Sequence, residues 1–249
     1  MRIRPLTIRL LLTAALAAHP SAASAAGAPS LKDFCQPDLS DVSARIKVVA
    51  TNEAELKKMG KTYVEAQKLS EQEIQCKEPG KVRLQGKKGL FTIRYITNGN
   101  RRVTQVPTLR INKAEDIAKE PGKGDVIYDL GLITPAWVGK VEDHFVRTED
   151  RDGKPVHVFE FYFKEDQRAK HTIVVDPATK TILDHTAHHR AKRKPGFKKR
   201  VLYGEVQNIN GVFVPTKATL LNSDNKIGAV LRYDNVKVNA GLSEKLFSF

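Results

Sequence analysis

Asp184, His185, His188 and His189 are residue types that ligate transition metals, and they crowd into one short stretch. Their spacing argues against a shared ion. On a strand, His185 and His189 share a face but stand about 13 Å apart, at roughly 3.3 Å per residue. Only a helix would bring positions i and i+4 together, and the β-rich Thr181-Ile182-Leu183 run favours a strand. No metal site is expected. Cys35 and Cys76 are the only cysteines and lack the C-x-x-C spacing of a redox pair. In an oxidising compartment they are expected to form one disulfide, closing a loop of about 40 residues. G-x-S-x-G, H-E-x-x-H and the P-loop pattern are all missing, so the chain reads as a non-enzyme that needs no cofactor.

Two further groups suit binding rather than catalysis. Phe159, Phe161 and Phe163 alternate along one run, so a strand there would aim all three rings at one face. With Val82, Leu84, Phe91, Ile93, Ile133 and Trp137 they could line an apolar cavity for an acyl chain, offering area without polar atoms to leave unpaired. The stretch from His188 to Arg200 is the densest basic run. Read as a hairpin loop, its Lys192, Arg193, Lys194, Lys198, Lys199 and Arg200 would face an anionic membrane surface or an acidic envelope protein.

The elements that must position these groups are mostly strands. Val82/Leu84, Phe91/Ile93/Tyr95 and Arg102–Val106 alternate around Gly86–Gly89 and Asn98-Gly99, which predicts an antiparallel meander. Runs at 156–163, 172–175, 181–184, 201–206, 212–214, 216–221 and 227–239 extend the pattern, with Asp152-Gly153 and Asn210-Gly211 as turns. Leu39, Val42 and Ile46 behind Asp38 and Ser40 predict a short helix, and Lys113–Glu120 another. Residues 46–75 fit both periods, with Ile46/Val48/Ala50 alternating and Leu56, Met59, Tyr63 and Ala66 at helical spacing. Residues 125–138 are apolar but interrupted by Gly131 and Pro135, with Gly139 just beyond. They predict short broken helices lying over an apolar surface, hinged at the two glycines. The expected class is α+β, one large antiparallel sheet with a few helices.

The N-terminus bounds where this happens. Arg2, Arg4 and Arg9 precede an apolar run from Leu10 to Ala18, and Ala23-Ser24-Ala25 closes the stretch. That order predicts a cleavable signal peptide over residues 1–25 and a protein released into the periplasm. Its loss removes three arginines, taking the formal net charge from +14 to +11, a surplus that favours anionic partners over nucleic acid in that compartment. Residues 26–37, small and polar, are expected to be loose, and residues 38–249 to form one domain, monomeric in solution.

Several short motifs also fall in a familiar order. They are Pro79-Gly80-Lys81-Val82-Arg83, Tyr95-Ile96-Thr97-Asn98-Gly99, the broken apolar segment, Asp176-Pro177, Gly211-Val212-Phe213-Val214-Pro215 and the ending Val238 to Phe247. In this order the chain, from about Pro79 to Phe249, resembles the LolA-like periplasmic lipoprotein carriers and outer-membrane lipoprotein-sorting proteins. The resemblance implies an incomplete antiparallel barrel whose concave face is covered by helices around an apolar cavity for lipid or lipoprotein acyl chains. It also implies an alternative, a sensor module of the RseB type that grips a protein partner. In the carriers an arginine directly before the first proline helps latch the lid; here that position is Glu78.

Overall fold

A two-residue hairpin loop with positive φ at both positions twists the way paired strands twist, and the chain uses this device twice with the residues suited to it. Asp152-Gly153 (φ 55° and 76°) and Asn210-Gly211 (φ 53° and 86°) each join neighbouring strands. The computed structural model describes residues 27–36, 38–120, 122, 127–188 and 197–249. They form thirteen strands: β1 (Asp41–Thr51), β2 (Ser70–Lys77), β3 (Lys81–Lys88), β4 (Phe91–Asn98), β5 (Arg101–Val106), β6 (Ile111–Asp116), β7 (Val141–Arg151), β8 (Lys154–Phe163), β9 (Asp166–Asp176), β10 (Thr181–His188), β11 (Phe197–Ile209), β12 (Val212–Asn222) and β13 (Ile227–Val238). All belong to one open sheet in the order β6-β5-β4-β3-β2-β1-β13-β12-β11-β10-β9-β8-β7, and every pairing is antiparallel. The sheet is two meanders stitched together where the first strand meets the last.

That seam is fastened by buried polar groups. The Asp41 carboxylate, 2 % exposed, accepts from the backbone N–H of Ala240, Gly241 and Leu242. Asn239 reciprocates, its Oδ1 accepting from Ser40 N at 2.8 Å. Hydrogen bonds to a charged acceptor are the stronger kind, so the C-terminal Asn239–Leu242 run has a structural role in closing this seam.

Among the described residues three short α-helices accompany the sheet: α1 (Glu53–Met59), α2 (Lys61–Gln67) and α3 (Pro135–Val138). The α1 helix starts at Asn52, whose side chain caps Glu55 N, and buries Leu56 and Met59. Gly228 on β13 makes room for it, since a Cβ there would sit 3.0 Å from Leu56 Cδ2. A 3-10 helix at Ile127–Leu130 precedes α3. The broken-helix expectation for this stretch holds over the described residues; Asp125 and Val126 lie outside them.

Three expectations fail locally, and one strand has no counterpart among them. The helix foreseen around Leu39–Ile46 is strand β1, because Val42 and Ala44 face the core at period two. The stretch expected to be helical at 113–120 begins as edge strand β6, fully exposed along its length. Residues 141–151, unassigned in sequence, are the other edge, β7. The segment expected to be loose contains a 3-10 helix at Leu31–Phe34 with a Ser30 capping box, and Leu31 and Phe34 are buried; Pro37 lies outside the described residues. The ambiguity over 46–75 resolves both ways, strand first and helices after.

Candidate functional site

Register decides which side chains share the covered face of the sheet. Phe145 of β7 pairs with Phe159 of β8, which pairs with Ile173 of β9, while Phe161 pairs with His171. His185 of β10 pairs with Ile173 and with Val201 of β11. Alternation then puts Phe159, Phe161, Phe163, His171, Ile173, His185 and Val201 on one surface. The connections at 31–34 and 127–138 close over it.

The rings on that surface interlock. Phe159 and Phe161 have no exposed area and Phe163 has 3 %. Trp137 of α3 stands edge-on to Phe161 at 5.2 Å and 89°, Phe34 and Phe145 each meet Phe159 at 5.6 Å, and Phe163 lies edge-on to Phe161 at 5.8 Å. These are the geometries that aromatic quadrupoles prefer. Ile133, Trp137, Val82 and the three phenylalanines share one hydrophobic cluster, with Leu84 packed against it. The three rings share one face, and that face is closed and well packed where the expectation is an open cavity.

Two of the expected lining residues sit elsewhere. Phe91, the first residue of β4, is 41 % exposed, next to Leu90 at 95 % in the turn that joins β3 to β4. Ile93 pairs with Gly86 on the same face as Val82 and Leu84 but is only half-buried and lies outside the main cluster. The cover is also less free than two glycine hinges would make it. A Cβ on Gly131 would meet Pro215 Cγ at 2.8 Å and Tyr203 at 3.2 Å, and the Gly131 carbonyl accepts from Ile182 N. Gly139 has ordinary helical φ as the C-cap of α3. Gly131 is a clamp point rather than a hinge.

Glu78, directly before Pro79, touches the cover. Thr134 caps α3 through Trp137 N, and its hydroxyl also donates to Glu78 Oε1 at 3.2 Å. The turn between β2 and β3 thereby holds the cover by a hydrogen bond to a carboxylate.

The cysteine expectation is corrected: Cys35 and Cys76 are both buried free thiols. Cys76 sits in β2 between Val42 and Val82, and the Cys35 thiol donates to the Leu31 carbonyl at 3.7 Å. Burial pushes the Cys35 thiol up to about 11 and raises Cys76 as well, so both are protonated and inert at neutral pH.

The basic loop is corrected in part. Lys192, Arg193 and Lys194 lie outside the described residues, but β11 already begins at Phe197, so Lys198, Lys199 and Arg200 are strand residues. Lys198 is exposed. Arg200 grips Asp184 through Nε and Nη2, which takes Asp184 away from any metal. His188 meets Thr172 Oγ1 at 2.9 Å, and His189 lies outside the described residues.

Lys199 is the residue that sequence reasoning placed wrongly. Its partner across β12 is Asn222 and across β10 is Ala187, which turns it to the covered face. There its ammonium sits 3.5 Å from Asp129 Oδ1 in the 3-10 helix at Ile127–Leu130, and 5.8 Å over the Tyr63 ring of α2. Burial disfavours its charge, yet the Asp129 carboxylate and Tyr63 outweigh that and raise its pKa. Nearby, His171 Nδ1 and His185 Nε2 stand 2.9 Å apart, with His171 stacked on Phe161 at 4.7 Å. Burial lowers His171 to about 4 and His185 well below the usual imidazole value, and Lys199 adds to both shifts. Both imidazoles are therefore neutral at pH 7. The signal in sequence was the alternation of His171 with Ile173 and Val175, which sets a histidine on an apolar face.

No protein-family model and no curated protein sequence matches the chain. Solved structures do. An outer membrane lipoprotein-sorting domain from Vibrio parahaemolyticus superposes with a TM-score of 0.60 at 14 % identity, covering 88 % of this chain and 93 % of its own. A LolA superfamily protein from Nitrosomonas europaea gives 0.57 at 15 % identity, covering 88 % and 96 %. At this identity the likeness establishes architecture, and it agrees with the open sheet and covering helices. The chain has the LolA-type fold.

Proposed function

We propose that this protein is a periplasmic carrier or binding module for the acyl chain of a lipid or lipoprotein, acting without catalysis or cofactor. One observation carries the reading. The Phe159–Phe161–Phe163 face is closed by Trp137 and Phe34, which come from connecting segments rather than from neighbouring strands. Beyond the clamp at Gly131 and Leu132, which pair with Ile182 and Thr181, the α3 part of the cover is held by ring contacts and by the Thr134–Glu78 hydrogen bond, so it can lift while the pairing between strands stays intact. Lifting it would expose aromatic area that an acyl chain can cover, at about 25 cal/mol per Å² of apolar surface removed from water. The signal-peptide expectation supports the periplasm as the place of work; residues 1–25 lie outside the described residues. The LolA-type fold supports the class of ligand, since one structural neighbour is described as lipoprotein-sorting.

Native mass spectrometry of protein purified from the periplasm tests this. Mass increments matching acyl lipids or acylated peptides are expected on part of the population. A single unliganded mass in every preparation contradicts the reading, and a stoichiometric acidic protein in place of lipid would mark the RseB-type module instead.

A further inference from the structure

The covered face is apolar except at one end, where a lysine faces inward. Lys199 (β11), Ala187 (β10) and His171 (β9) lie side by side across three strands, and His185 is one pair further along. The middle member of the row is a methyl group, so nitrogen-bearing side chains flank a low spot on the sheet. Lys199 cannot leave: its stem is fixed in a strand paired on both sides, and its side chain is 16 % exposed. A cation held this way needs an anion. Among the described residues the carboxylate it meets is Asp129, which belongs to the cover rather than to the sheet. The contact is long at 3.5 Å, against about 2.8 Å for a tight charge-assisted bond, and the Asp129 side chain keeps 34 % exposure. The carboxylate is therefore loosely seated, partly exposed and carried by a connecting segment rather than by a strand.

We propose that Lys199 anchors the carboxylate head of a free acyl ligand, a long-chain fatty acid, and that Asp129 is the built-in carboxylate occupying this anchor when the cavity is closed. The inference rests on the acyl-binding reading above. Opening of the cover withdraws Asp129 and leaves Lys199 unneutralised. The ligand's carboxylate replaces it while the chain lies along the phenylalanine face, so head and tail are recognised at adjacent places on one surface. The charge of the site favours a carboxylate over a phosphate dianion. His171 and His185 are neutral at pH 7, which leaves the single charge of Lys199 to be matched by a monoanion.

The test uses cis-parinaric acid and its methyl ester, two fluorescent chains differing only in head charge, against the full-length protein at pH 7 and low salt. The acid is expected to bind about tenfold more tightly than the ester, the scale of one partly screened ion pair. Asp129→Asn vacates the anchor without cutting into the core, so it should tighten acid binding by a further factor of about ten and leave the ester unchanged. Lys199→Met should erase the preference for the acid. If that variant does not fold, the Asp129→Asn result decides alone. Equal binding of acid and ester by wild type and Asp129→Asn overturns the anchor while leaving acyl binding intact. Failure of both probes to bind any of the proteins overturns the anchor together with the acyl-binding reading.

Discussion

Two strands of the same sheet carry the same aromatic alternation and meet different fates. On β8, Phe159, Phe161 and Phe163 all face inward and all are buried. On β4, Phe91, Ile93 and Tyr95 also share one face, yet Phe91 is 41 % exposed and the other two are half-buried. What differs is the chain lying opposite. Segments 31–34 and 135–138 return across β8. On β4 it is the other face that is sealed at one end. Ile96 and Val103 are buried there, and the C-terminal 3-10 helix Glu244–Phe247 approaches it, with Asn98 Nδ2 donating to the Phe247 carbonyl. Period two therefore reveals which residues share a face; whether that face becomes core depends on where the connections run.

The comparison can be broken by substitution. Phe161→Ala should destabilise the protein by about 3–5 kcal/mol, the usual cost of emptying a large buried aromatic site. Phe91→Ala should stay within about 0.5 kcal/mol. Urea unfolding followed by circular dichroism measures both. Comparable losses would mean that the two strands are equally integrated, contrary to the packing.

A somewhat smaller effect separates the regions in acid. The β9–β10 region holds His171, whose folded pKa of about 4 lies below its unfolded value of 6.5. Between those values the unfolded chain binds the extra proton, so stability is fully present above pH 6.5 and declines as pH falls toward 4. For His171 the loss is on the order of 3 kcal/mol. Burial comes first among the causes, Lys199 and His188 add like charge that also opposes protonation, and the Asp166 carboxylate works the other way. His171→Asn should flatten stability over this interval; an unchanged slope would mean that the imidazole stays hydrated in the folded protein.

Most of the meander architecture was legible, since β3 to β5 and β8 to β13 have alternating apolar residues and Gly- or Asn-containing turns. The two edges were not. The β6 strand buries nothing, and β7 presents Glu142, His144, Arg147, Glu149 and other polar residues with few apolar ones. Such charged edges resist pairing with other chains, and that is also what hides them from hydrophobic periodicity. Within the site, the phenylalanine face and its broken-helix cover could be read from spacing. The inward lysine could not, because Lys199 lies within Lys198-Lys199-Arg200, where composition suggests a solvated loop and only the register with Ala187 and Asn222 reveals its direction. The cysteines misled for a related reason: export makes a disulfide plausible, whereas pairing depends on geometry that composition does not contain.

Trp137 is the single tryptophan of the chain, 1 % exposed and edge-on to Phe161, so its fluorescence reports directly on the interior under the cover. A fatty acid brominated along its chain quenches indole only on near contact. Titrating it into the protein should quench Trp137 saturably, and the unbrominated acid should compete the quenching away. Emission that stays unquenched while the ligand is shown to bind would place the chain outside this interior and contradict the account.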